Sequence, residues 1–291
     1  MPRRLPVLAA AVTLGALAAC APADESAAPG TSPASGSASS SASCSPDTMK
    51  TRTPGTLTVG TDKPAYEPWF SGDDPSNGKG YESAVAYAVA KRLGYAPEAV
   101  KWSVVSFNSA IAPGPKTFDV DINQISITEE RKKNLDFSSG YYDVAQSVVT
   151  VKGSKAADAT TLAQLKKVKL GAQVGTTSYT AAKDQIAPEQ AVAVYNTNDD
   201  AKAALQNGQI DALVVDLPTG LFLAAADLDD GKLVGQLPVT GKPEQFGMVL
   251  DKGSSLTACV SQAVDALRAD GTLQRLETQW LTDTAGAPEL K

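Results

Sequence analysis

The spacing of hydrophobic positions changes repeatedly along the chain from residue 57 onwards. Short apolar or alternating runs predict strands at 57–60, 100–107, 118–123, 147–151, 168–172 and 212–215. Apolar side chains spaced three or four residues apart predict helices at 81–94, 161–167, 177–186, 198–207, 218–227 and 256–267, with one more short helix at 273–280. Because strands alternate with helices, we expect an α/β fold with mostly parallel sheets.

One strand-and-loop unit occurs twice. Residues 59–62 (VGTD) close one predicted strand, and residues 174–178 (VGTTS) follow another roughly a hundred residues later. Ligands of open α/β sheets bind at the carboxyl ends of the strands. The repetition therefore predicts two lobes, each with a loop of small residues, and a ligand cleft between them.

The N-terminus reads as a targeting segment. Arg3 and Arg4 precede an apolar stretch at 5–19, which has the length of a secretory signal and is short for a membrane span. Residues 17–20 (LAAC) resemble a bacterial lipobox, so we expect a lipoprotein signal peptide at 1–19 and lipidation of Cys20; the alternative is a plain secretory signal with a chance cysteine. The Ser-, Ala-, Gly- and Pro-rich residues up to 46 form a lipid-anchored flexible linker. This predicts an extracytoplasmic protein attached to the cell membrane only through its lipid.

Composition removes several classes of chemistry. The 291 residues contain no histidine and three cysteines, which excludes a Ser-His-Asp triad, a Cys-His dyad and an ordinary zinc or iron–sulfur site. The 32 acidic side chains outnumber the 26 basic ones, which argues against a nucleic-acid partner. We predict no metal and no cofactor, and a binding protein or a carboxylate-based enzyme stays open.

Two cysteines are left after removal of the signal and use of Cys20. In an oxidising compartment, Cys44 and Cys259 are expected to form a disulfide that ties the start of the fold to the C-terminal helical region. The alternative is a buried, inert Cys259 and an unpaired Cys44.

Several short motifs occur in a recognisable order. The most specific are residues 126–133 (SITEERKK), 135–138 (LDFS) and the tyrosine pair 141–142; supporting ones are 60–62 (GTD) with Tyr66 and Pro68, 175–178 (GTTS), 211–216 (DALVVD), 269–273 (ADGTL) and 279–281 (QWL). Over about residues 55–282 the chain resembles the polar-amino-acid substrate-binding proteins of ATP-driven importers, the solute-binding protein family 3.

The resemblance implies a two-lobed, type II periplasmic-binding-protein fold. Residues 47–148 and 246–291 would form lobe 1 and residues 149–245 lobe 2, with crossings near 147–153 and 242–247. It implies a monomer that binds a polar amino acid between the lobes and delivers it to a membrane permease with its ATPase subunits. It implies no catalysis.

Two charged residues are the main candidates for holding the ligand. Arg131 follows an N-cap threonine and two glutamates in the first turn of a predicted helix, where its guanidinium can hold a carboxylate through two hydrogen bonds. The alternative for Arg131 is a surface salt bridge. Asp216 ends a buried strand, where it can accept from an ammonium or cap the helix that starts at Pro218. The resemblance implies that Arg131 grips the α-carboxylate and Asp216 the α-ammonium.

The remaining candidates surround this pair. Ser126 and the loop formed by Gly175, Thr176 and Thr177 offer hydroxyl and backbone donors to the ligand carboxylate, although such a loop is also a common turn. The side-chain pocket is expected to comprise Asp62, Tyr66, Trp69, Phe107, Asn123, Gln124 and Gln173. Core packing is the alternative for Trp69 and Phe107, and loop capping for Asp62. Asp62 and Gln173 favour neutral polar or basic ligands over acidic ones.

Two other functions fit the same fold. Some proteins that share it resemble dehydratases of cyclohexadienyl amino acids such as arogenate, for which Glu67 and Asp62 are acid–base candidates. A receptor for a signalling partner instead of a permease is the other alternative.

Overall fold

The computed structural model describes residues 44–239, 241–284 and 286–291. The predicted signal peptide, the lipidated Cys20 and nearly all of the linker lie outside these ranges. Within them, no helix combines the length and the apolar character needed to cross a membrane.

Twelve strands and nine α-helices are found in the described ranges. The strands are β1 (Leu57–Thr61), β2 (Val100–Val104), β3 (Val120–Asp121), β4 (Leu135–Phe137), β5 (Tyr142–Val144), β6 (Gln146–Val151), β7 (Leu170–Gln173), β8 (Ala193–Tyr195), β9 (Ala212–Asp216), β10 (Gly231–Gln236), β11 (Glu244–Phe246) and β12 (Val249–Asp251). The helices are α1 (Tyr81–Arg92), α2 (Phe107–Ile111), α3 (Glu129–Lys132), α4 (Leu162–Leu165), α5 (Thr177–Ala181), α6 (Asn198–Gln206), α7 (Leu217–Phe222), α8 (Thr257–Ala269) and α9 (Thr272–Trp280). Single π-helical turns at Ala182–Ile186 and Leu223–Asp227 extend α5 and α7.

The predicted helices and strands are present, and two strands are shorter than expected. The run 100–107 ends its strand at Val104, because Ser106 caps α2 by accepting from the amide of Ser109. The run 118–123 is a strand only at Val120–Asp121.

Each lobe is built on one five-stranded sheet. The first has the order β2-β1-β3-β12-β4 and the second β10-β6-β9-β7-β8. In the first sheet β1 runs parallel to β2 and β3, and β12 runs antiparallel to β3 and β4. In the second, β7 runs parallel to β8 and β9, and β6 runs antiparallel to β9 and β10.

Four of the five strands in each sheet thus run in the same direction, as expected for mostly parallel sheets, and one strand in each, β12 or β6, runs against them. The antiparallel pairs involve β6 and β12, the strands by which the chain enters a lobe from the crossing. These two strands start at the edge where the parallel strands end, as the pairing of Gln146 with Asp216 shows. They must therefore run in the opposite direction.

The two crossings of the chain lie side by side. β5 and β11 form a two-stranded antiparallel ribbon in which Tyr142 pairs with Phe246 and Val144 with Glu244. The second crossing, which includes Glu244–Phe246, lies within the predicted range 242–247. The first lies earlier than the predicted 147–153, because residues from Gln146 onwards already belong to the second sheet.

The C-terminal tail corrects the predicted lobe boundary. Residues 246–291 were all assigned to lobe 1, but Glu289 bridges to Gln236 and Leu290 is 1% exposed in the core of the second lobe. The amide of Leu162 also donates to the carbonyl of Lys291 at 2.9 Å. The tail crosses back because Leu290 buries its side chain there.

The expected disulfide joins the start of the described chain to α8. Cys44 and Cys259 are bonded, with 5.4 Å between their Cα atoms. Cys259 lies on the buried face of α8, together with the apolar side chains that the sequence pattern placed there: Val260, Ala263, Val264 and Leu267.

Candidate functional site

A small polar cavity of about 30 Å³ lies between the ends of the two sheets. It is lined by Asp62, Tyr66, Phe107, Asn123, Gln124, Ser126, Arg131, Gln173, Thr176, Thr177, Ser178, Asn198, Val215 and Asp216. The structure thus brings together all the predicted binding residues except Trp69 and Gly175. Strand ends and helix starts supply most of this lining, as the carboxyl-end rule predicts.

Arg131 spans the cavity from the first lobe. Thr128 caps α3 by accepting from the amide of Arg131 at 3.1 Å, which fixes the start of the side chain. Its guanidinium donates to the carbonyl of Ser126 at 2.6 Å and to that of Gly175, in the second lobe, at 2.9 Å. The guanidinium carbon lies 5.6 Å from the centre of the Phe107 ring. Burial lowers the pKa of Arg131, and the nearby Glu244 and Asp216 act in the opposite direction.

Asp216 faces the cavity from the end of β9. Its carboxylate accepts from Nε2 of Gln146 at 2.8 Å. Asp216 stands at the N-cap position of α7, but its side chain makes no capping hydrogen bond, so the capping interpretation is wrong. Burial, followed by the charge of Glu244, raises the pKa of Asp216 to about 8.

Glu244 is an acidic residue beside this cavity that no sequence motif indicates. It is the first residue of β11, and its Oε1 accepts from the hydroxyl of Thr177 at 2.6 Å and from the hydroxyl of Ser126. Nε2 of Gln146 lies 3.3 Å from Oε2 and 3.4 Å from Oε1. Glu244 therefore contacts Ser126 of the first lobe and both Thr177 and Gln146 of the second.

The glycine–threonine loop of the second lobe forms the N-terminus of α5. Thr176 caps the helix by accepting from the amide of Tyr179 at 3.1 Å, and its hydroxyl donates to the carbonyl of Gln173 at 2.7 Å. Gly175 has a φ of 73°, a value that favours glycine, and presents its carbonyl to Arg131. Gly175 thus contacts the arginine without lining the cavity itself.

One end of the cavity carries an aromatic wall and a carboxylate. Asp62 accepts from the amides of Lys63 at 2.8 Å and Phe107 at 3.1 Å, so it both caps the local loop and faces the cavity. Burial raises the pKa of Asp62. Burial also raises the pKa of Tyr66, and the charge of Asp199 adds to the effect.

Sequence comparison places this geometry in a known family. A profile of the bacterial extracellular solute-binding proteins, family 3, matches residues 57–283. The chain belongs to this family. Its two-lobed α/β architecture is that of the type II periplasmic binding proteins.

Individual relatives are binding proteins. The L-cystine-binding protein TcyJ of Escherichia coli K12 is 35% identical over 242 residues, 79% of this chain and 84% of that protein. The ABC transporter glutamine-binding protein GlnH of Bacillus subtilis is 29% identical over 219 residues, 74% of this chain and 77% of that protein. The structure of the ancestral amino acid-binding protein AncCDT-1, a precursor of cyclohexadienyl dehydratase, matches with a TM-score of 0.63 and 29% identity, covering 78% of this chain and 96% of that one.

Trp69 corrects one predicted pocket residue of this family member. Its side chain is fully buried in the aromatic core formed with Tyr81, Tyr142 and Phe246. Its Nε1 donates to the hydroxyl of Thr219 at 2.9 Å. Core packing, the alternative interpretation, therefore holds for Trp69.

Gln124 lines the cavity but points its amide group away from it. Its backbone amide and its Nε2 both donate to the carboxylate of Glu82, and its φ is 48°. Burial raises the pKa of Glu82 to about 7. Neighbouring Asn123 has an Nδ2 without a hydrogen-bond partner among the described residues, so it is a free donor beside the cavity.

Ser178, Asn198 and Val215 complete the lining and were not predicted. Asn198 starts α6 directly after the capping Thr197, at the end of another strand, so the strand–loop–helix pattern at 193–198 was a usable signal. In the described ranges, no group of three or more acidic or cysteine side chains is placed to hold a metal ion.

Proposed function

We propose that this protein is the extracytoplasmic binding component of an ABC importer and that it binds a polar amino acid between its lobes. The observation that carries the proposal is one cavity with Arg131 on the first lobe and Asp216 on the second. An amino acid carries one carboxylate and one ammonium, which match these two charges. The similarity to cystine-, glutamine- and amino acid-binding proteins supports the same class of ligand.

The carboxylate end of the ligand would lie at Arg131. The guanidinium has five N–H donors and uses two groups on backbone carbonyls, so donors are left for a carboxylate. The free amides of the α5 N-terminus, after Gly175, add donors from the other lobe. The ligand would then be bonded to both lobes at once.

Binding to both lobes implies closure around the ligand. The ribbon of β5 and β11 is the connection between the two sheets at the cavity, so we expect it to act as the hinge. A closed cleft excludes water and strengthens the charged contacts inside it.

We also propose that Cys20 carries the lipid anchor and that the protein acts as a monomer beside the permease. The charged start, apolar stretch and LAAC sequence of residues 1–20 support the anchor. Two or more acyl chains would hold the protein on the membrane. In a bacterial expression host, C20A should release the protein into the soluble extracytoplasmic fraction. A C20A protein that stays in the membrane fraction would contradict the anchor.

Calorimetry with the twenty amino acids tests the binding function. We expect binding of a polar amino acid by the wild type, loss of that binding in Arg131→Ala, and no change in Arg275→Ala, which removes an arginine from α9 outside the cavity. Far-UV circular dichroism checks that both variants fold. If the wild type binds none of the amino acids, the proposed function is wrong; if R131A keeps its affinity, the carboxylate site is wrong.

A dehydratase is a second candidate, because the raised pKa of Asp216 is what a general acid needs. The earlier candidate Glu67 instead accepts from the amide of Gly72 and does not line the cavity. Incubation with arogenate and prephenate should give no dehydrated product above the rate without protein. Product formation that is lost in Asp216→Asn would favour the enzyme.

Uptake of the bound amino acid by cells that have or lack the gene separates transport from a purely signalling role.

A further inference from the structure

Two neighbouring carboxylates share a single amide group: Asp216 lines the cavity, and the half-buried Glu244 lies beside it. Asp216 ends β9 and Glu244 begins β11, and the Nε2 of Gln146 lies between them, 2.8 Å from Asp216 and 3.3 Å from Glu244. Glu244 is also bonded to Ser126 and Thr177. The second carboxylate is therefore held at the same place as the first by contacts from both lobes.

This group of side chains has more acceptors than donors. Among the described residues, neither Asp216 nor Glu244 forms a salt bridge, and the Oε1 of Gln146 accepts no hydrogen bond. Gln146 itself is only 5% exposed, so these acceptors are largely withdrawn from water. A group with several donors, no acceptor and a positive charge would satisfy them, and an ammonium has these properties.

The surrounding charges favour the same kind of group. The charged side chains that act on Asp216 are Glu244 on β11, Glu82 on α1 and Arg131 on α3. The single guanidinium is directed at the carbonyls of Ser126 and Gly175. Once Asp216 is ionised, acidic side chains therefore outnumber basic ones around it, and an ammonium would offset this negative charge.

We propose that Glu244 is a ligand-binding residue that holds the ammonium of the amino acid together with Asp216. This rests on the proposed amino-acid-binding function and adds a second carboxylate to it. The ammonium would donate to one oxygen of each carboxylate, and Ser126 and Thr177 keep Glu244 oriented. Because Glu244 belongs to the second crossing, its contact with the ligand would also couple occupancy to the closed arrangement of the lobes.

A proton balance follows from the pair. Before binding, the two adjacent carboxylates repel each other, and Asp216, with its pKa near 8, keeps a proton at neutral pH. When the ammonium binds, its charge favours ionisation of Asp216, and the proton leaves to the solvent. Binding should therefore release close to one proton at pH 7 and strengthen as the pH rises from 6 to 8.

The decisive comparison is Glu244→Gln against Asp143→Asn. E244Q keeps the size of the side chain and one acceptor oxygen for Ser126 and Thr177, removes the charge and replaces the other oxygen by an NH2 donor. D143N removes an exposed carboxylate from the same ribbon, outside the cavity. We expect E244Q to weaken binding of the best amino acid by tenfold or more, since a hydrogen bond to a charged group contributes about 1.5–3 kcal/mol, and D143N to bind as the wild type does.

The outcomes separate this inference from the proposed function. If E244Q binds the amino acid as tightly as the wild type or more tightly, and R131A does not bind it, the role of Glu244 is wrong and the proposed function stands. Tighter binding by E244Q would mean that Glu244 competes with the ligand carboxylate for the same donors. No binding by the wild type would overturn both. If E244Q does not fold, wild-type calorimetry in buffers of different ionisation enthalpy decides, because binding at pH 7 without proton release contradicts the carboxylate pair.

Discussion

Replacing Asp216 by asparagine should stabilise the ligand-free protein at alkaline pH. The carboxyl is buried, its neighbour Glu244 is acidic, and its one hydrogen bond from Gln146 does not offset the loss of water. Its pKa rises from an ordinary value of 3.8 to about 8. Asparagine has nearly the same shape and carries no charge at any pH.

The sign of the effect follows from proton binding. Because the folded pKa is raised, the folded protein holds this proton more tightly than the unfolded chain does. The contribution of Asp216 to stability is therefore favourable below pH 4, falls as the pH rises from about 4 to about 8, and stays at its lowest value above that. Glu82, whose pKa is raised to about 7, gives a slope of the same sign in both proteins. The difference between wild type and D216N isolates Asp216.

The size of the effect can be bounded from the same shift. One pKa unit corresponds to about 1.4 kcal/mol, so the full shift sets an upper limit of about 6 kcal/mol. Relaxation and water entry around an ionised buried group reduce such penalties, and we expect about 2–4 kcal/mol. For a domain of this size, 1 kcal/mol shifts the melting temperature by about 2–4 °C.

Thermal unfolding of the ligand-free proteins at pH 5 and pH 8.5 measures how much the charge of Asp216 destabilises the fold. D216N should melt at least 4 °C above the wild type at pH 8.5, with a much smaller gain at pH 5, and the exposed control D143N should show neither change. Calorimetry should show that D216N has lost amino-acid binding, so that stability and binding move in opposite directions. A D216N protein that melts at or below the wild type at pH 8.5 would refute the argument that Asp216 is a destabilising buried charge.

Two more predictions concern the links between distant parts of the chain. Leu290→Ala should lower the free energy of unfolding by about 2–4 kcal/mol, since it opens a cavity in the core of the second lobe. Denaturant titration should show no such loss for Glu289→Ala, which changes the exposed neighbouring residue. If L290A were as stable as the wild type, the tail would be only loosely attached. Cys44→Ser should lose up to about 5 kcal/mol through the long loop that the disulfide closes with Cys259. Reductant should lower the wild type to the level of C44S and leave C44S unchanged, and a wild type insensitive to reductant would contradict a stabilising disulfide.

Local patterns predicted the longer buried strands and most helices, but not α2 or the strands β4, β5, β8, β10, β11 and β12. They also predicted most residues that line the candidate site. The spacing of apolar residues predicts α1 and α8 because each helix buries one continuous face. Arg131, Asp216 and the 175–177 loop were predictable because they follow strand ends, and parallel strands end at one edge of a sheet. Such information lies within a few residues of each site.

Long-range contacts account for what the sequence did not predict. Trp69 has the residue type of a pocket wall as well as of a core, and only its packing against Phe246, far along the chain, decides between them. Leu290 follows a tail without a periodic pattern, so nothing local indicates that it returns to the second lobe. Glu244 is a single acidic residue in a three-residue strand, where neither spacing nor a cap marks it as part of a site.

The mixed sheets and the acidic pair have one geometric origin. β6 is the first strand of the second sheet after the crossing at β5, and β11 belongs to the ribbon itself, so their first residues, Gln146 and Glu244, stand beside the cavity where β9 ends at Asp216. An amino acid bound at Asp216 would therefore lie next to a side chain of the ribbon as well as side chains of the lobes. Because Gln146 and Asp216 pair within one sheet, a change in hinge angle would move Glu244, and not Gln146, relative to Asp216, which makes the ammonium site sensitive to closure. For this reason we expect both E244Q and R131A to disturb contacts between the lobes, because Glu244 is bonded to Ser126 and Thr177 and the Arg131 guanidinium to Ser126 and Gly175. The two variants differ in the end of the ligand that they affect: R131A removes the partner of the carboxylate, and E244Q a partner of the ammonium.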